Sequence, residues 1–564
     1  MKARARVTAV FLATAVLLTA AYALCPSGAS CAQQSPATSC YATSHLTPPE
    51  LLPTGHWAYE ELRKLWVQGL VDSFFVSTEP VSRYDVAELL ISLQESSRPA
   101  PNSPALQRLL REFSREMRDL EGGASGGTSG AGATGYGANR ETSGATAHAE
   151  TPFLFQKQGQ NLDFRFSLYA DATADNWDTE DMELRDGARA GFQAWVLLRP
   201  NIVLFEDIYV GKLSGGWRYG EELFSLKDVL ILSDRFYISL RAPFIDVTLG
   251  RDKLRWGPGR TGTLLLSDAA SSYTLLSASK AFGRKLKIST VSGILDSEEG
   301  KYLAGHRIDI APSNSIQIGF AETAIYHSRF VEPLYAISLV PFTLVERTLH
   351  RDSQDSGADD PARNNVGVST DLVVRACRGV SLYGEFMLDD WAEETSKRPT
   401  KLAYQLGTAM SKSTGGRTFN AIAELSRVWN YTYSVSYSDV YDRDASHQGL
   451  PLGYCLGPDS KRVFLLLSCD VSRDFELGLS WDEILKGEGE LGQPWREEMG
   501  MVNADKLSGI VETKRSIAPF VRWLPRDNVL IEASAGLKQI ENKNHVEKED
   551  ESGALFSLRL AARW

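Results

Sequence analysis

The feature that most restricts the fold of this chain is a period-two alternation of apolar and polar residues that recurs after residue 160. Successive side chains of a β-strand point to opposite faces, so the alternation predicts strands with one apolar and one polar face. In residues 161–170 the apolar face holds Leu162, Phe164, Phe166, Leu168 and Ala170. The same alternation recurs at residues 235–241, 284–290, 315–320, 380–389 and 417–425. Because a soluble sandwich alternates in the same way, the pattern alone does not establish a membrane protein.

The connections between these segments alternate between short and long. Tight-turn sequences occur at residues 200–201, 242–243, 282–283, 312–314, 378–379, 472–474 and 525–528. Longer polar connections lie near residues 173–187, 212–234, 253–272, 328–365, 390–400, 430–460, 483–514 and 541–552. This order predicts an all-β membrane barrel of about 18 antiparallel strands, with tight turns in the periplasm and long connections outside. Within 328–365, residues 334–344 fit either a helix or a strand.

The last strand is marked by its final residue, Trp564. Arg559 and Arg563 fall on one face of this strand, where we expect the lumen, because charges that face lipid are unfavourable. The opposite face holds Ala554, Phe556, Leu558, Leu560 and Ala562. An aromatic residue at the end of such a strand resembles the sorting signal of outer-membrane barrels. We therefore expect the chain in the cell outer membrane, with membrane lipid as a partner.

The start of the chain predicts export. A basic beginning precedes the apolar run at residues 7–23, an order typical of a signal peptide. We expect residues 1–32 to contain it, with cleavage after Ala23 or Ala32. An uncleaved anchor needs roughly 20 apolar residues, and Ala and Thr dilute the run here; lipidation at Cys31 lacks the usual preceding Leu. No later segment offers an unbroken helical span, so a membrane domain must be a barrel.

Residues 47–120 follow a helical pattern instead. Three motifs lie in this segment: His56-Trp57-Ala58-Tyr59-Glu60, Gly69-Leu70-Val71 and Ser82-Arg83-Tyr84-Asp85. They resemble one S-layer-homology repeat, which implies a small α-helical periplasmic domain with peptidoglycan or another wall polymer as partner. The alternative is a helical pack that only orders the periplasmic mouth. Residues 121–150, rich in Gly, Ala, Ser and Thr, predict a flexible linker, and the barrel then covers residues 151–564.

Composition excludes several classes of function. A net charge of -11 and a pI near 5.4 argue against nucleic acid as a partner. Six cysteines are too few for a disulfide scaffold, although Cys455 and Cys469 are a conceivable pair in an oxidising compartment. No Cys/His cluster has the spacing of a zinc site. We therefore expect no metal and no cofactor.

The densest group of chemically distinctive residues lies at 250–263, where a strand enters an outer connection. Arg251, Lys253 and Arg260 are suited to acidic groups of a sugar, and Trp256 to stacking on a sugar ring. The structural alternative is a loop that folds into the barrel, shaped by its glycines and proline, with its charges neutralised across the lumen. The outline of a phosphate loop in this segment fails because no Lys precedes the hydroxyl residue.

A second candidate group follows the strand at 380–389. Trp391 beside Asp389 and Asp390 suits a sugar platform at the outer mouth, or else a residue of the interfacial aromatic girdle. A glycosidase needs two carboxyl groups roughly 5–10 Å apart, but carboxylates that face Arg and Lys across a lumen are the commoner arrangement. His327-Ser328 has no matched acid nearby for a nucleophilic mechanism. We expect no enzymatic activity.

These residues also form part of a wider pattern. It consists of Gly250-Arg251-Asp252-Lys253, Trp256-Gly257-Pro258-Gly259, Leu264-Leu265-Leu266-Ser267, His306-Arg307-Ile308-Asp309, Glu322, Ile325-Tyr326, Glu385, Asp389-Asp390, Gly449-Leu450-Pro451-Leu452-Gly453 and Gly457-Pro458-Asp459. The pattern resembles the Wzi capsule-assembly family. That resemblance implies an outer-membrane barrel that binds capsular or exopolysaccharide and supports its assembly or retention at the surface. The S-layer-homology-like segment and the linker depart from the family.

The resemblance selects seven candidate polysaccharide-binding residues, namely Arg251, Lys253, Trp256, Arg260, Asp389, Asp390 and Trp391. The alternative function is a porin tethered to the wall by its N-terminal domain. The two functions differ in whether inserted loops block the lumen, which the sequence leaves open.

Overall fold

The structure is a computed structural model, and it describes residues 47–72, 74–96, 103–124, 153–159, 161–176, 185–198, 200–213, 221–226, 229–329, 331–337, 340–349, 364–391, 397–435 and 442–564. The predicted signal peptide and most of the predicted linker lie outside the described residues.

Eighteen long strands form one closed antiparallel barrel, as the alternation predicted. They are β1 (Leu162–Asp175), β2 (Arg185–Leu198), β3 (Ile202–Leu213), β4 (Val229–Arg241), β5 (Asp246–Asp252), β6 (Tyr273–Phe282), β7 (Leu286–Asp296), β8 (Lys301–Ser313), β9 (Ile316–His327), β10 (Asn365–Cys377), β11 (Val380–Asp390), β12 (Lys401–Thr414), β13 (Arg417–Val428), β14 (Ser460–Ser472), β15 (Phe475–Lys486), β16 (Glu512–Arg526), β17 (Val529–Glu541) and β18 (Glu551–Arg563). Strand β18 pairs with β1 and closes the barrel. Shorter strands lie at Thr78–Glu79, Phe155–Gln158, Glu221–Leu226, Arg255–Trp256, Ser446–His447 and Leu450–Pro451.

Within the described residues, four helices precede the barrel: α1 (Trp57–Val67), α2 (Arg83–Glu95), α3 (Pro104–Glu112) and α4 (Ser114–Ala124). The side chains of His56, Ser82 and Ser103 accept backbone N–H bonds at the starts of α1, α2 and α3, which is why these helices begin there. Two more helices, α5 (Pro333–Ile337) and α6 (Phe342–Leu349), resolve the open choice at 334–344 in favour of helix. None of the helices that the structure describes is long and apolar enough to cross a membrane.

The N-terminal helices pack against the inner wall at the periplasmic end of the barrel. Their buried core includes Val373, Tyr383 and Ala409 from strands β10 to β12. The backbone N–H of Gly379, in the tight turn between β10 and β11, donates to the carbonyl of Val67 over 2.8 Å. Arg375 donates to the carbonyl of Trp66 over 2.7 Å. The helices therefore occupy the lumen behind these turns.

The connections follow the predicted order with two additions. A further tight turn joins β12 to β13, and the connection between β7 and β8 is short although it lies on the outer side. There Asp296 accepts the N–H groups of Glu298 and Glu299, and Gly300 adopts a φ of 71°. The side-chain bonds and the left-handed glycine close a tight hairpin, which the polar composition of this segment did not reveal.

The last strand has the two faces that the sequence predicted. Phe556, Leu558 and Leu560 are 38%, 40% and 45% exposed on the outer wall. Arg559 points inward and donates to Asp171 of β1 over 2.9 Å across the closing seam. An apolar outer wall and a polar inner wall are what a lipid-embedded barrel requires.

The conceivable disulfide between Cys455 and Cys469 is not formed. The structure shows no disulfide bond between these two residues. Cys455 belongs to an outer connection, whereas Cys469 lies on β14 close to its periplasmic end. The length of the strand separates the two thiols, so the pairing was wrong.

Candidate functional site

The chain leaves the barrel wall after Asp252 and enters the lumen as a segment that we call the inner loop, residues 253–272. Strand β5 has only 7 residues, against 13 in β4. Arg255–Trp256 pairs with Thr78–Glu79 of the N-terminal segment, and Gly257 N–H donates to Ser77 over 2.8 Å. The inner loop is therefore joined by backbone hydrogen bonds to the segment between helices α1 and α2.

The inner loop crosses the lumen to strands β11 and β13. Glu424 accepts the backbone N–H groups of Arg260 at 2.6 Å and Thr261 at 2.9 Å. Glu385 accepts the N–H of Leu264 at 3.0 Å. These buried carboxylates satisfy loop backbone groups that would otherwise lack partners. They thus hold the loop, an arrangement that explains them without a catalytic role.

A glycine is required where the inner loop passes Glu385. Gly257 has a φ of 136°, and a Cβ on it would lie 2.4 Å from Glu385 Oε2. A larger residue would both strain the backbone and displace the carboxylate. The glycines of the 250–263 motif therefore permit close packing.

Arg260 joins the inner loop to helix α1. Its Nη1 lies 2.8 and 2.7 Å from the two carboxylate oxygens of Glu60. Burial acts to raise the pKa of Glu60, but the guanidinium groups of Arg260 and Arg63 outweigh it and hold that pKa well below its usual range. Glu60 consequently stays ionised beside Arg260.

The other candidates of the 250–263 motif also belong to the packing of the inner loop. Trp256 is 2% exposed and packs in a core with Leu264, Leu266 and Leu303. Arg251 Nε donates to Ser272 Oγ over 3.1 Å. Lys253 Nζ donates to the carbonyl of Asp268 over 3.3 Å. Trp256 is thus buried in the core of the inner loop, whereas Arg251 and Lys253 are half-buried where the loop begins and are bonded to its far end.

The described parts of an outer connection, residues 429–435 and 442–459, lie over the inner loop. Tyr433 Oη donates to the carbonyl of Leu264 over 2.7 Å and accepts the N–H of Tyr454 at 3.0 Å. Burial raises the pKa of Tyr433 well above its usual value. Ser267 N–H donates to the carbonyl of Leu452 over 2.6 Å. Two layers of chain thus fill this side of the lumen.

The remaining candidates lie at the outer end of β11. Asp389 accepts the N–H of Tyr433 at 2.8 Å, which ties it to the covering connection. Asp390 lies 4.0 Å from Lys401 Nζ. Trp391 is 54% exposed, so it is the candidate whose ring is open to solvent. The candidates of the 250–263 motif therefore bond to the inner loop and helix α1, whereas Asp389 bonds to the covering connection.

Sequence reasoning missed four charged residues near this end of the barrel. Lys301 Nζ donates to Asp442 over 2.7 Å, and Asp444 accepts the N–H of Val435 at 2.8 Å. Burial raises the pKa of Asp444. We call Asp389, Asp390, Trp391, Asp442, Asp444, Lys301 and Lys401 the outer-mouth group. Its members come from distant strands and connections, and only the acidic stretch around 439–444 is visible in the sequence.

A cavity of about 350 Å³ lies on the other side of helix α1. Its walls are α1 and the inner faces of β12 to β18, and they include Glu61, Lys64, Arg522, Glu532 and Ser557. Arg522 Nε is 3.0 Å from Glu532. The inner loop and the outer connection thus leave room for water beside them. Among the residues that the structure describes, no cluster of three or more potential metal ligands occurs.

A closed barrel with an apolar outer wall, and with folded chain across part of its lumen, defines an outer-membrane β-barrel protein. The chain belongs to the capsule assembly protein Wzi family, whose sequence profile it matches over residues 205–555. No curated protein sequence matches the chain.

Solved structures with a similar fold include a protein of the same family. Wzi of Escherichia coli is described as an outer-membrane protein involved in group 1 capsule assembly and as a carbohydrate-binding β-barrel. It is 14% identical, with a TM-score of 0.58, over 91% of this chain and 99% of that chain. Acinetobacter baumannii OccAB1 is 8% identical, with a TM-score of 0.41, over 73% and 99% of the two chains. Pseudomonas aeruginosa OprD is 8% identical, with a TM-score of 0.39, over 71% and 94%.

Proposed function

We propose that this chain is a non-enzymatic outer-membrane barrel that binds capsular or related surface polysaccharide and supports its assembly or retention on the cell. The observation that carries the proposal is the inner loop, which crosses the lumen and is hydrogen-bonded to strands on the opposite wall. A general porin needs an open aqueous path, and two layers of folded chain oppose one here. Family membership and the carbohydrate binding named for Escherichia coli Wzi support the same function.

The outer-mouth group supplies the chemistry that polysaccharide binding requires. An exposed indole such as that of Trp391 stacks on the apolar face of a sugar ring. The carboxylates of Asp390 and Asp442, whose side chains are partly exposed, accept bonds from sugar hydroxyls. Lys301 and Lys401 are buried beneath them and hold the two carboxylates in place. Each contact is weak, but a polymer presents the same unit many times, so many weak contacts on one cell add up to firm retention.

The seven candidate residues then divide between two tasks. Trp391 and Asp390 contact the polymer, and Asp389 positions the covering connection through Tyr433. The other four candidates hold the inner loop in the lumen, beneath the outer-mouth group. They are Arg251, Lys253, Trp256 and Arg260. A wall polymer remains the proposed partner of the helical segment, on the basis of its S-layer-homology-like motifs.

The decisive experiment compares Trp391→Ala with Trp523→Ala. Trp523 is 45% exposed on β16, close to the periplasmic turn, and serves as the matched control. Loss of one stacking contact is expected to weaken binding of the host's purified surface polysaccharide about 2- to 12-fold for Trp391→Ala. Trp523→Ala should bind as the parent does. Equal affinity of both variants and the parent, or large ohmic current steps from the parent in a planar bilayer, would contradict the proposal.

A further inference from the structure

The outer wall of strands β8 and β9 carries a polar pair where a lipid-facing barrel is expected to be apolar. His306 lies opposite Glu322 in the strand register, and its Nε2 is 3.2 Å from Glu322 Oε2. Arg307, the next residue, points into the lumen and donates to Thr78 over 2.9 Å. Since successive strand side chains alternate, His306 and its partner face outward.

The pair lies within the length of strand that crosses the membrane. Strand β8 has 13 residues and His306 is its sixth, whereas a spanning strand needs about 9–11 residues. Glu322 also lies near the middle of β9. Lipid contact with these two side chains would be unfavourable.

A helical segment covers the pair from outside. We call residues 331–337 and 340–345 the outer hairpin; they contain α5 and the start of α6. Phe342 N–H donates to Glu322 Oε2 over 2.9 Å, and its ring lies 4.6 Å from that of His306. Tyr335 stacks on Tyr326 of β9 at 4.7 Å. Phe342 and Tyr335 are 0% and 2% exposed, so the inner face of the hairpin is sealed against the wall.

The opposite face of the outer hairpin is apolar and exposed. Its exposed large side chains are Val331, Leu334, Val340 and Leu344, at 40–50%. Glu332 does not interrupt this face, because it is half-buried and its Oε1 accepts the N–H of Leu334. The neighbouring wall is also apolar and exposed, at Phe320 and Val368. The apolar face of the hairpin thus continues the lipid-facing surface of the barrel.

We propose that the outer hairpin is a lipid-binding element that lies at the boundary between the headgroups and the acyl chains of the outer leaflet. Its exposed apolar face contacts acyl chains, and its inner face shields the His306–Glu322 pair from them. Amphipathic helices that lie in this boundary bury one apolar face about 5–10 Å deep. Lipid is favoured over a second copy of the chain because the face is continuous with the lipid-facing wall. The side chains that the structure describes as exposed between Val331 and Leu344 also include no charged group that would align a protein partner.

The test places the photo-crosslinking residue p-benzoylphenylalanine at Leu344 of the full chain, reconstituted in phosphatidylcholine vesicles. The same residue at Leu558, on the lipid face of β18, is the positive control. At Lys548, whose side chain is 88% exposed in the last outer connection, it is the negative control. We expect lipid adducts at position 344 within about twofold of those at position 558, and few at position 548.

Two results would overturn the proposal: lipid adducts at 344 no more frequent than at 548, or a crosslink from 344 to a second copy of the chain. Heat-modifiable migration on gels establishes that each variant has inserted. If the variant at position 344 does not insert, the photo-crosslinking residue is placed at Leu334, on the same exposed face, and lipid adducts are measured there.

Discussion

The two sides of helix α1 within the lumen show opposite ways of placing charge inside a barrel. On one side, Arg307 is fully buried between Asp309 and Asp371, 2.7 Å from each, beneath the inner loop. On the other side, Arg559 makes a similar 2.9 Å contact with Asp171, but its side chain is 41% exposed. The same residue types therefore carry different energetic weight, because water remains available to only one of them.

The largest effect is expected from Arg307→Gln. Removal of this guanidinium leaves two buried carboxylates without their counter-charge, which should lower the free energy of unfolding by about 3–5 kcal/mol. Denaturant unfolding of the detergent-solubilised barrel measures it. A loss as small as that of the exposed arginine described below would break the comparison between the two sides.

Leu560→Arg is expected to cost about 2–4 kcal/mol, since this side chain faces lipid near the middle of the membrane. Leu560 is 45% exposed on the outer wall of β18. Leu560 faces lipid and its neighbour Arg559 faces the lumen, so variants at these two positions compare exposure to lipid with exposure to water on one strand. Folding into vesicles, followed by heat-modifiable migration, checks it, and full tolerance would mean that the faces of β18 are reversed.

Gly257→Ala is expected to destabilise the inner loop by about 1–3 kcal/mol, because the added methyl group overlaps Glu385 in a tightly packed site. The added Cβ would lie 2.4 Å from Glu385 Oε2. Strand pairing should remain intact, while displacement of the loop should add ionic current in a planar bilayer. Gly415→Ala is the control, because a Cβ at that turn would meet no atom within 4 Å. Unchanged current from Gly257→Ala would show that the loop tolerates the overlap.

The smallest effect is expected from Arg559→Gln. This ion pair is partly hydrated, so its loss should change the free energy of unfolding by less than about 1 kcal/mol. The free energy of unfolding is measured under the same conditions for Arg559→Gln and Arg307→Gln, and the two losses are compared. A cost above that range would mean that the cavity side is as dry as the side under the inner loop.

The barrel itself was accessible from the sequence because lipid and lumen impose a local rule on every strand. Along each strand, residues that face lipid alternate with residues that face the lumen. The last strand, which ends beside Trp564, shows this alternation in its sequence and in its exposure. The short outer turn at 297–300 escaped notice because its closure depends on side-chain bonds from Asp296. The candidate site was harder to predict, since Trp256 and Trp391 have similar polar neighbours in sequence yet are 2% and 54% exposed.

By itself, the amino-acid sequence determined the closed antiparallel barrel, most of its tight turns and the family resemblance, because these follow from patterns within one strand or one motif. Only the tertiary structure decided that residues 253–272 fold into the lumen, that Arg260 meets Glu60, and that Lys301 lies beside Asp442. Such contacts join residues far apart in the chain, so their formation depends on closure of the barrel and on the packing space that closure leaves. The alternation of residues along a single strand carries no information about the packing space inside the closed barrel.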